Sequence, residues 1–346
     1  MVIKVGGRDI AVEDSGPGPG FPIIAMNGSG SRHLFGPAAR EGRDLGFRLI
    51  GYDRPGCGRS TSRPGRVIAD CADDLRAIMT ELGISRAAAW GSSGGGPYAL
   101  AAAATMPDAI TAVCVFASVG PYGQPGLDFA EGLGEGMRET IRKFFKEPER
   151  ARAEFREQSA ITLAERGSPE WWLRSWGDRA ERDAAHSRET AEYLAACMRD
   201  AVRADDQGSF DDDGSWEDDS AFYLPWRFDL ADIRAPVSQW HGLKDFVPVA
   251  HARGLADRIP HVTTHFPADE DHTNIEENNR AAAYAWLRDH LWGRAHWRLS
   301  EGVPDAGHLG RAPLAWAAPG PPSSWVSFWA HPVRRLLERL REARLR

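Results

Sequence analysis

A serine flanked by glycines carries the first chemical signal in this chain. Residues 91–95 read GSSGG and match the pattern G-x-S-x-G. In that pattern the serine lies on a sharp strand-to-helix turn, where its Oγ faces the substrate and the turn tolerates only small neighbours. Ser93 has glycine two positions away on both sides, whereas Ser92 has Trp90 on one side. The steric requirement therefore predicts Ser93 as a nucleophile.

The context of the pentapeptide matters because so short a pattern also arises by chance in glycine-rich loops. The apolar run AAAW at 87–90 precedes it and is typical of a buried strand. The segment PYALAAAA at 97–104 follows it and favours a helix, with its proline in the first turn, where helices accept one. The serine thus lies between a predicted strand and a predicted helix, as a nucleophile of this kind requires.

A serine hydroxyl needs a general base and a carboxylate that orients the base. In hydrolases built around this motif the order along the chain is serine, then acid, then histidine. Asp245 follows a predicted strand at 235–242, and His272 follows the last predicted strand at 262–266. Active sites form at the carboxyl ends of parallel strands, so we predict Asp245 and His272 as the partners of Ser93.

Other histidines and acids compete for these roles. His241 and His265 fall within predicted strands and His251 on a predicted helix, which favours packing or hydrogen-bonding roles for all three. The acids at 269–271 are close to His272 in sequence, but the strand end at Asp245 is the better position for the carboxylate.

A tetrahedral intermediate also needs two backbone N–H donors for its oxyanion. One donor is the residue after the nucleophile, here Gly94. The other should come from the loop NGSGS at 27–31, which follows the predicted strand 21–26. Ser29 is the expected donor in that loop; the competing interpretation is an ordinary glycine turn.

Strands alternate with helices over most of the chain, which predicts a mostly parallel sheet covered by helices on both faces. The pattern breaks between about 121 and 225, where helical segments are predicted at 136–165, 169–184 and 187–203. The acidic stretch at 205–219 does not have the spacing of a calcium loop, so we expect a solvated loop with helix caps. Several aromatic residues of this region fit either an apolar acyl pocket or the region's own core, with core favoured for most of them: Phe129, Trp171, Trp172, Trp176, Phe222 and Trp226.

Taken together, these motifs resemble the α/β-hydrolase fold with an inserted helical cap. The pieces that carry the resemblance are the loop 27–31, the glycine-rich segment YDRPGCGRS at 52–60, the Ser93 turn and the Asp245 and His272 segments, in family order over about residues 1–292. The resemblance implies a hydrolase core at 1–120 and 226–292 and a helical cap at 121–225. Residues 293–346 form a C-terminal extension with no recognised counterpart.

The chain departs from the family pattern at three positions. Asn27 replaces the usual histidine of the oxyanion loop, and Gly30 stands where proline often lies. Asp271 replaces the glycine that commonly precedes the catalytic histidine, and we expect this extra carboxylate to raise the basicity of His272.

Composition narrows the possible partners and location. The net charge of −7 argues against nucleic acid or an anionic membrane as a main partner. Cysteines at 57, 71, 114 and 197 are widely spaced, which favours reduced thiols in a cytoplasmic protein. Neither a signal peptide nor a transmembrane segment is expected, and no metal site, cofactor or dinucleotide fingerprint is indicated. Oligomeric state stays open.

A serine nucleophile predicts acyl transfer, with a small-molecule ester, lactone or amide as the substrate. An aminopeptidase of the proline-iminopeptidase type is an alternative that would need acidic cap residues such as Glu131 or Glu135. A cofactor-free haloperoxidase or perhydrolase could use the same triad. A receptor-like protein with little turnover is the alternative from another class.

The C-terminal extension is rich in Pro, Gly, Trp and Arg and ends in a basic amphipathic segment at 333–342. Three interpretations stay open for that segment. It packs on the body of the protein, docks a membrane surface or a partner, or has no defined role.

Overall fold

The computed structural model describes residues 1–16, 18, 20–177, 184–207 and 209–296. The helix predicted at 333–342 therefore lies outside the described residues, as does most of the extension. Within the described ranges the chain forms a single sheet of eight strands: β1 (Val2–Val5), β2 (Arg8–Asp14), β3 (Phe21–Met26), β4 (Phe47–Tyr52), β5 (Ala87–Ser92), β6 (Ile110–Phe116), β7 (Val237–Trp240) and β8 (Val262–His265).

The strand order is β1-β2-β4-β3-β5-β6-β7-β8. β1 pairs with β2 and β2 with β4 in antiparallel fashion, and all later pairings are parallel. The carboxyl ends of β3, β5, β7 and β8 therefore lie on one edge of the sheet. This edge is where a site built from loops after those strands must form.

Helices cover both faces of the sheet. The described helices on these two faces are α1 (Gly36–Asp44), α2 (Cys71–Glu81), α3 (Gly96–Thr105), α9 (Val249–Ala256) and α10 (Ile275–His296). Alternate residues of β5 point to opposite faces, as the strand geometry requires. Ala89 packs in the core that contains α2 and α3, whereas Trp90 packs in the core that contains α1 and α10.

Five described helices lie between β6 and β7, and we call them the inserted helices. They are α4 (Glu135–Lys146), α5 (Pro148–Arg166), α6 (Pro169–Trp176), α7 (Ala184–Ala201) and α8 (Asp213–Tyr223). The segment predicted as one helix over 136–165 is in fact two, because Glu147 leaves the helical conformation (φ −139) before Pro148. Within the segment predicted at 169–184, α6 ends at Trp176 and Gly177 follows with a φ of +54, whereas residues 178–183 lie outside the described residues.

The acidic stretch is the clearest correction to the sequence interpretation. Of the stretch 205–219, the described residues before Asp212 are non-helical and none of them is buried, but residues 213–223 form α8, and both Asp212 and Asp218 are buried. Arg152 and Arg156 from α5 donate hydrogen bonds to Asp212 Oδ1 at 2.8 and 2.9 Å. The prediction failed because the arginines that make burial of these carboxylates tolerable are distant in sequence.

The aromatic residues of the inserted region mostly form core. Trp172 packs with Trp171, Trp176 and two alanines of α7 in a small separate cluster. Phe129 and Trp226 belong to the main core beside α2 and α3. Among the described residues, no helix is both long enough and apolar enough to cross a membrane.

His251 on α9 joins the sheet layer to the start of the inserted region. Its Nδ1 accepts the Gly120 N–H at 3.1 Å, and its Nε2–H donates to the Phe129 carbonyl at 2.9 Å, a tautomer assigned from these partners. Burial lowers the pKa of His251 to about 4, against a smaller opposing effect of the hydrogen bond to Phe129. The ring must be neutral because Nδ1 needs a free lone pair to accept the hydrogen bond from the Gly120 N–H.

This burial predicts acid sensitivity. The folded-state pKa lies below the unfolded value, so the stabilisation is complete above about pH 6.5 and is lost as pH falls towards 4. His251→Gln should remove on the order of 2 kcal/mol of the pH-dependent loss of stability between pH 7 and 4. Urea unfolding at several pH values checks this, with the exposed His261→Gln as the matched control. If the free energy of unfolding fell equally with pH in wild type and His251→Gln, the prediction would be wrong.

Candidate active site

The turn after β5 has the geometry of a nucleophile elbow. β5 ends at Ser92, residues 93–95 form one 3-10 turn, and α3 begins at Gly96. Ser93 has a φ of +52, a left-handed conformation that residues other than glycine seldom adopt and that costs on the order of 1–2 kcal/mol. The half-buried Ser93 side chain therefore stands on a strained turn that the surrounding structure enforces.

The glycines around Ser93 are required by close backbone contacts. A Cβ on Gly95 would lie 1.8 Å from the carbonyl oxygen of Met26 at the end of β3. A Cβ on Gly91 would lie 2.7 Å from the Gly95 carbonyl oxygen. These short distances are the physical basis of the steric rule that favoured Ser93 over Ser92. The absence of a side chain at Gly95 also lets the end of β3 pack against the elbow.

The structure brings the three predicted residues of the triad together. His272 Nε2 lies 2.9 Å from Ser93 Oγ. His272 Nδ1 lies 2.9 and 3.0 Å from the two carboxylate oxygens of Asp245. The Asp245 side chain is fully buried, and its Oδ1 also accepts the Val247 N–H at 2.8 Å. The result is a continuous hydrogen-bonded chain from a buried carboxylate through an imidazole to the serine hydroxyl.

Two residues beside the triad were not singled out for it by the sequence. His241 is buried, and its Nε2–H donates to the Val247 carbonyl at 2.8 Å, which closes the loop that carries Asp245. The Phe246 ring lies 4.3 Å from the His272 ring, centroid to centroid. Phe246 covers one face of the imidazole, and its position next to Asp245 is the only sequence signal for that role.

The Asp271 carboxylate, which the sequence analysis expected to raise the basicity of His272, has its own hydrogen-bond partners. Its Oδ1 accepts the Thr273 and Asn274 N–H groups at 2.8 and 3.2 Å and also the Thr273 hydroxyl at 2.6 Å. The carboxylate thus forms the turn that leads into α10. It supports the loop that carries His272, and the structure gives no contact through which it acts on the imidazole directly.

The loop at 27–31 lies against the elbow. A Cβ on Gly28 would lie 3.4 Å from Ser93 Oγ, so the Gly28 backbone is next to the serine hydroxyl. Ser29 is half-buried, and Gly94 is buried. Both expected N–H donors are thus in the neighbourhood of Ser93, and their role as an oxyanion hole stays a prediction.

The unusual residues of this loop have physical explanations. The Asn27 side-chain amide donates to the carbonyl oxygens of Ser31 and His33 at 3.1 and 2.7 Å and closes the loop from within. Gly30 has a φ of +74, which proline cannot adopt, and a Cβ there would lie 3.0 Å from Cys57 Sγ. The departures from the family pattern therefore fit an ordered loop.

The inserted helices cover this loop and the elbow. Cys197 of α7 lies 3.3 Å from the Ser31 hydroxyl, and burial raises the pKa of this thiol to about 11. From α8, the Phe222 ring lies so close to Gly94 that a Cβ on Gly94 would come within 2.8 Å of the ring.

Glu131 and Glu135, the acidic residues suggested for an aminopeptidase, are exposed. All four cysteines are buried and free of disulfides.

Metal-ligating residues do not cluster at the site. Within the described ranges, no group of three or more His, Cys, Asp or Glu side chains is arranged to hold a metal ion.

Comparison with known proteins establishes the family. The family profile for the alpha/beta hydrolase fold matches residues 24–279, well over half of the chain. The chain belongs to the α/β-hydrolase family. The fold expected from the sequence motifs is thereby confirmed.

Curated relatives match over shorter segments. A zearalenone hydrolase of Cladophialophora bantiana is 30% identical over 103 residues, which cover 28% of this chain and 38% of that protein. A magnesium-chelatase 30 kDa subunit of Rhodobacter capsulatus is 36% identical over 107 residues, covering 30% and 37%. The matches thus span less than two fifths of the length of these relatives.

Solved structures match over most of the described chain. The enol-lactonase of Burkholderia xenovorans LB400 superposes with a TM-score of 0.54 and 21% identity, covering 84% of this chain and 99% of that one. At this identity the likeness shows the shared fold.

The elbow contacts predict that a single methyl group is disruptive. Gly95→Ala should destabilise the protein by on the order of 3 kcal/mol or more and displace Ser93, because its Cβ meets the Met26 carbonyl. Gly134→Ala is the matched control, because a Cβ at Gly134 meets no atom within 4 Å. Urea unfolding compares the two variants. Equal stability of Gly95→Ala and Gly134→Ala would contradict the prediction.

Proposed function

We propose that this protein is a serine hydrolase that cleaves a small carboxylic ester or lactone through an acyl-enzyme. The hydrogen-bonded chain Ser93–His272–Asp245 is the observation that carries the proposal. Three groups from three separate loops meet at hydrogen-bond distance on the edge of the sheet where active sites form. Family membership supports the same reaction class.

The proposed reaction has two halves. Ser93 Oγ attacks the substrate carbonyl carbon while His272 Nε2 accepts the hydroxyl proton, and Asp245 stabilises the resulting imidazolium. His272 then gives that proton to the leaving alcohol as the C–O bond breaks. In the second half, water gives a proton to His272, its oxygen attacks the acyl carbon, and Ser93 leaves with the proton returned.

The backbone N–H groups of Gly94 and Ser29 are the proposed oxyanion donors. Each such donor is typically worth about 3 kcal/mol of transition-state stabilisation. Their contribution depends on the position of the loop at 27–31, which lies directly beside Ser93.

We also propose a domain organisation for the chain. Residues 1–120 and 226–292 act as the hydrolase core, and residues 121–225 act as a cap that selects the acyl group. The contacts of Cys197 and Phe222 with the catalytic loops support the cap assignment. A lactone is included among the substrates because one superposable structure is named an enol-lactonase.

Other functions have less support. Glu131 and Glu135 are exposed, so neither of these two acids supports an aminopeptidase. The hydrogen-bonded chain at Ser93 argues against a receptor with little turnover. No contact in the described residues favours a haloperoxidase or perhydrolase over ester hydrolysis.

Replacement of the nucleophile tests the proposal. Ser93→Ala should lower kcat for a short-chain p-nitrophenyl ester by roughly 10⁴-fold or more, because the attacking oxygen is lost. The neighbouring Ser92→Ala is the matched control and should stay within about threefold of wild type, since only Ser93 contacts His272. Wild-type turnover in Ser93→Ala would rule out the mechanism.

A fluorophosphonate probe gives a readout that does not depend on the choice of ester. Peptide mapping should place the label on Ser93, and His272→Ala should slow labelling because the hydroxyl loses its base. Absence of labelling in folded wild-type protein would favour the receptor alternative.

A further inference from the structure

A buried arginine links the oxyanion loop to the inserted helices. Arg54, in the loop after β4, is 1% exposed. Its Nη1 donates to the Asn27 carbonyl at 2.7 Å, and its Nη2 donates to the Gly28 carbonyl at 3.1 Å. Its Nε donates to both carboxylate oxygens of Asp218 on α8, at 3.0 and 2.8 Å. One guanidinium thus bridges the loop beside Ser93 and a helix of the inserted region.

The Gly28 carbonyl and the Ser29 N–H belong to the same peptide group. A trans peptide is planar, and its C=O and N–H point in opposite directions, so a fixed carbonyl also fixes the direction of the N–H. A cationic donor on the carbonyl oxygen also polarises the peptide and strengthens its N–H as a donor. Arg54 therefore acts on the very N–H that is expected to bind the oxyanion.

Asp218 determines where Arg54 can lie. The carboxylate receives Arg54, the Tyr98 hydroxyl at 2.7 Å and Arg66 Nη1 at 2.6 Å, all in the buried interior. Burial opposes ionisation of Asp218, but Arg54 and Arg66 outweigh it and hold its pKa at about 2. Asp218 is thus a permanent anion throughout the neutral range. Without it, two buried guanidinium groups would face each other with no ionised partner among the residues they bond here.

α8 also meets the other side of the expected oxyanion hole. Phe222, one turn after Asp218, packs against Gly94, the second expected donor. At the start of α8, Gly214 approaches Gly56 so closely that a Cβ on either residue would lie within 2.6 Å of the other backbone. The helix is therefore fixed in position relative to both catalytic loops.

We propose that Asp218 is a positioning residue for the oxyanion hole, which acts by holding Arg54 against the Gly28–Ser29 peptide. This inference rests on the proposed hydrolase function. It assigns a catalytic consequence to a residue of the inserted region that touches neither Ser93 nor His272. Loss of the Asp218 charge frees the guanidinium, and the Ser29 N–H loses both its direction and its polarisation.

Asp218→Asn tests the proposal, because it keeps the shape of the side chain and removes its charge. We expect kcat for the p-nitrophenyl ester to fall by about 10- to 100-fold, since the loss weakens one oxyanion donor without removing it. KM should change by less than about twofold, because the donor acts in the transition state. The affinity for phenylboronic acid, which forms a tetrahedral anion on the serine, should fall in parallel with kcat.

Asp212→Asn is the matched control. Asp212 is also a buried acid at α8 paired with two arginines, but Arg152 and Arg156 do not contact the oxyanion loop. We expect Asp212→Asn to lower the melting temperature and to leave kcat within about twofold of wild type. An equal loss of kcat in both variants would show general loosening and overturn the proposal.

Two further variants keep the proposal testable if Asp218→Asn folds poorly. Tyr98→Phe removes one donor to Asp218 and should lower kcat several-fold with KM unchanged. The single variant Arg54→Lys and the double variant that also carries Asp218→Asn should have similar kcat values, because Asp218 acts through Arg54. Additive losses, or a folded Asp218→Asn or Tyr98→Phe with wild-type kcat, would contradict the positioning role.

The two proposals fail in different ways. If wild-type protein neither hydrolyses the ester nor takes the fluorophosphonate label, the hydrolase function is wrong. If wild-type protein does both and Asp218→Asn does so at the same rate, only the role of Asp218 is wrong.

Discussion

The contact between Gly95 and the Met26 carbonyl is the constraint on which the site depends. Because Gly95 has no side chain, the turn after β5 can pack directly on the end of β3. At this contact Ser93 has its left-handed conformation, and the loop after β3 lies beside the serine hydroxyl. The position of the predicted nucleophile relative to the expected oxyanion donors thus depends on one backbone contact, which the parallel pairing of β3 with β5 makes possible.

The remaining parts of the site come from elements that the elbow does not control. Asp245 and His272 arrive on loops after β7 and β8, at the far side of the sheet from β1, and His241 and Phe246 hold them in place. The inserted helices also place a buried charge close to the site, because Asp218 of α8 accepts a hydrogen bond from Arg54, which donates to the Gly28 carbonyl. The proposed effect of this ion pair on the Ser29 N–H would pass through the peptide group that contains both that carbonyl and that N–H.

The sequence predicted the parts of the site that depend on local rules. Spacing of glycines singled out Ser93, and strand ends singled out Asp245 and His272, because each signal lies within a few residues of the position it describes. The structure brings these three side chains to hydrogen-bond distance, and their catalytic roles stay predictions. The fold followed from the same alternation. The Asp218–Arg54 contact joins residues 164 positions apart, and the buried Asp212 is paired with arginines of α5, about 60 residues earlier in the chain. Neither has a local signal, so the whole acidic run was taken as solvated although two of its carboxylates, Asp212 and Asp218, are buried.

The close approach of Gly56 and Gly214 limits which of the inserted helices can be replaced independently of the loop after β4. Two backbones in van der Waals contact, without intervening side chains, cannot be altered one at a time. The part of the inserted helices that can be replaced without changing the loop after β4 therefore ends before residue 213. A chimaera that replaced α8 as well would have to preserve both its close approach to Gly56 and a partner for Arg54, so this helix and the loop after β4 form one structural unit despite their separation along the chain.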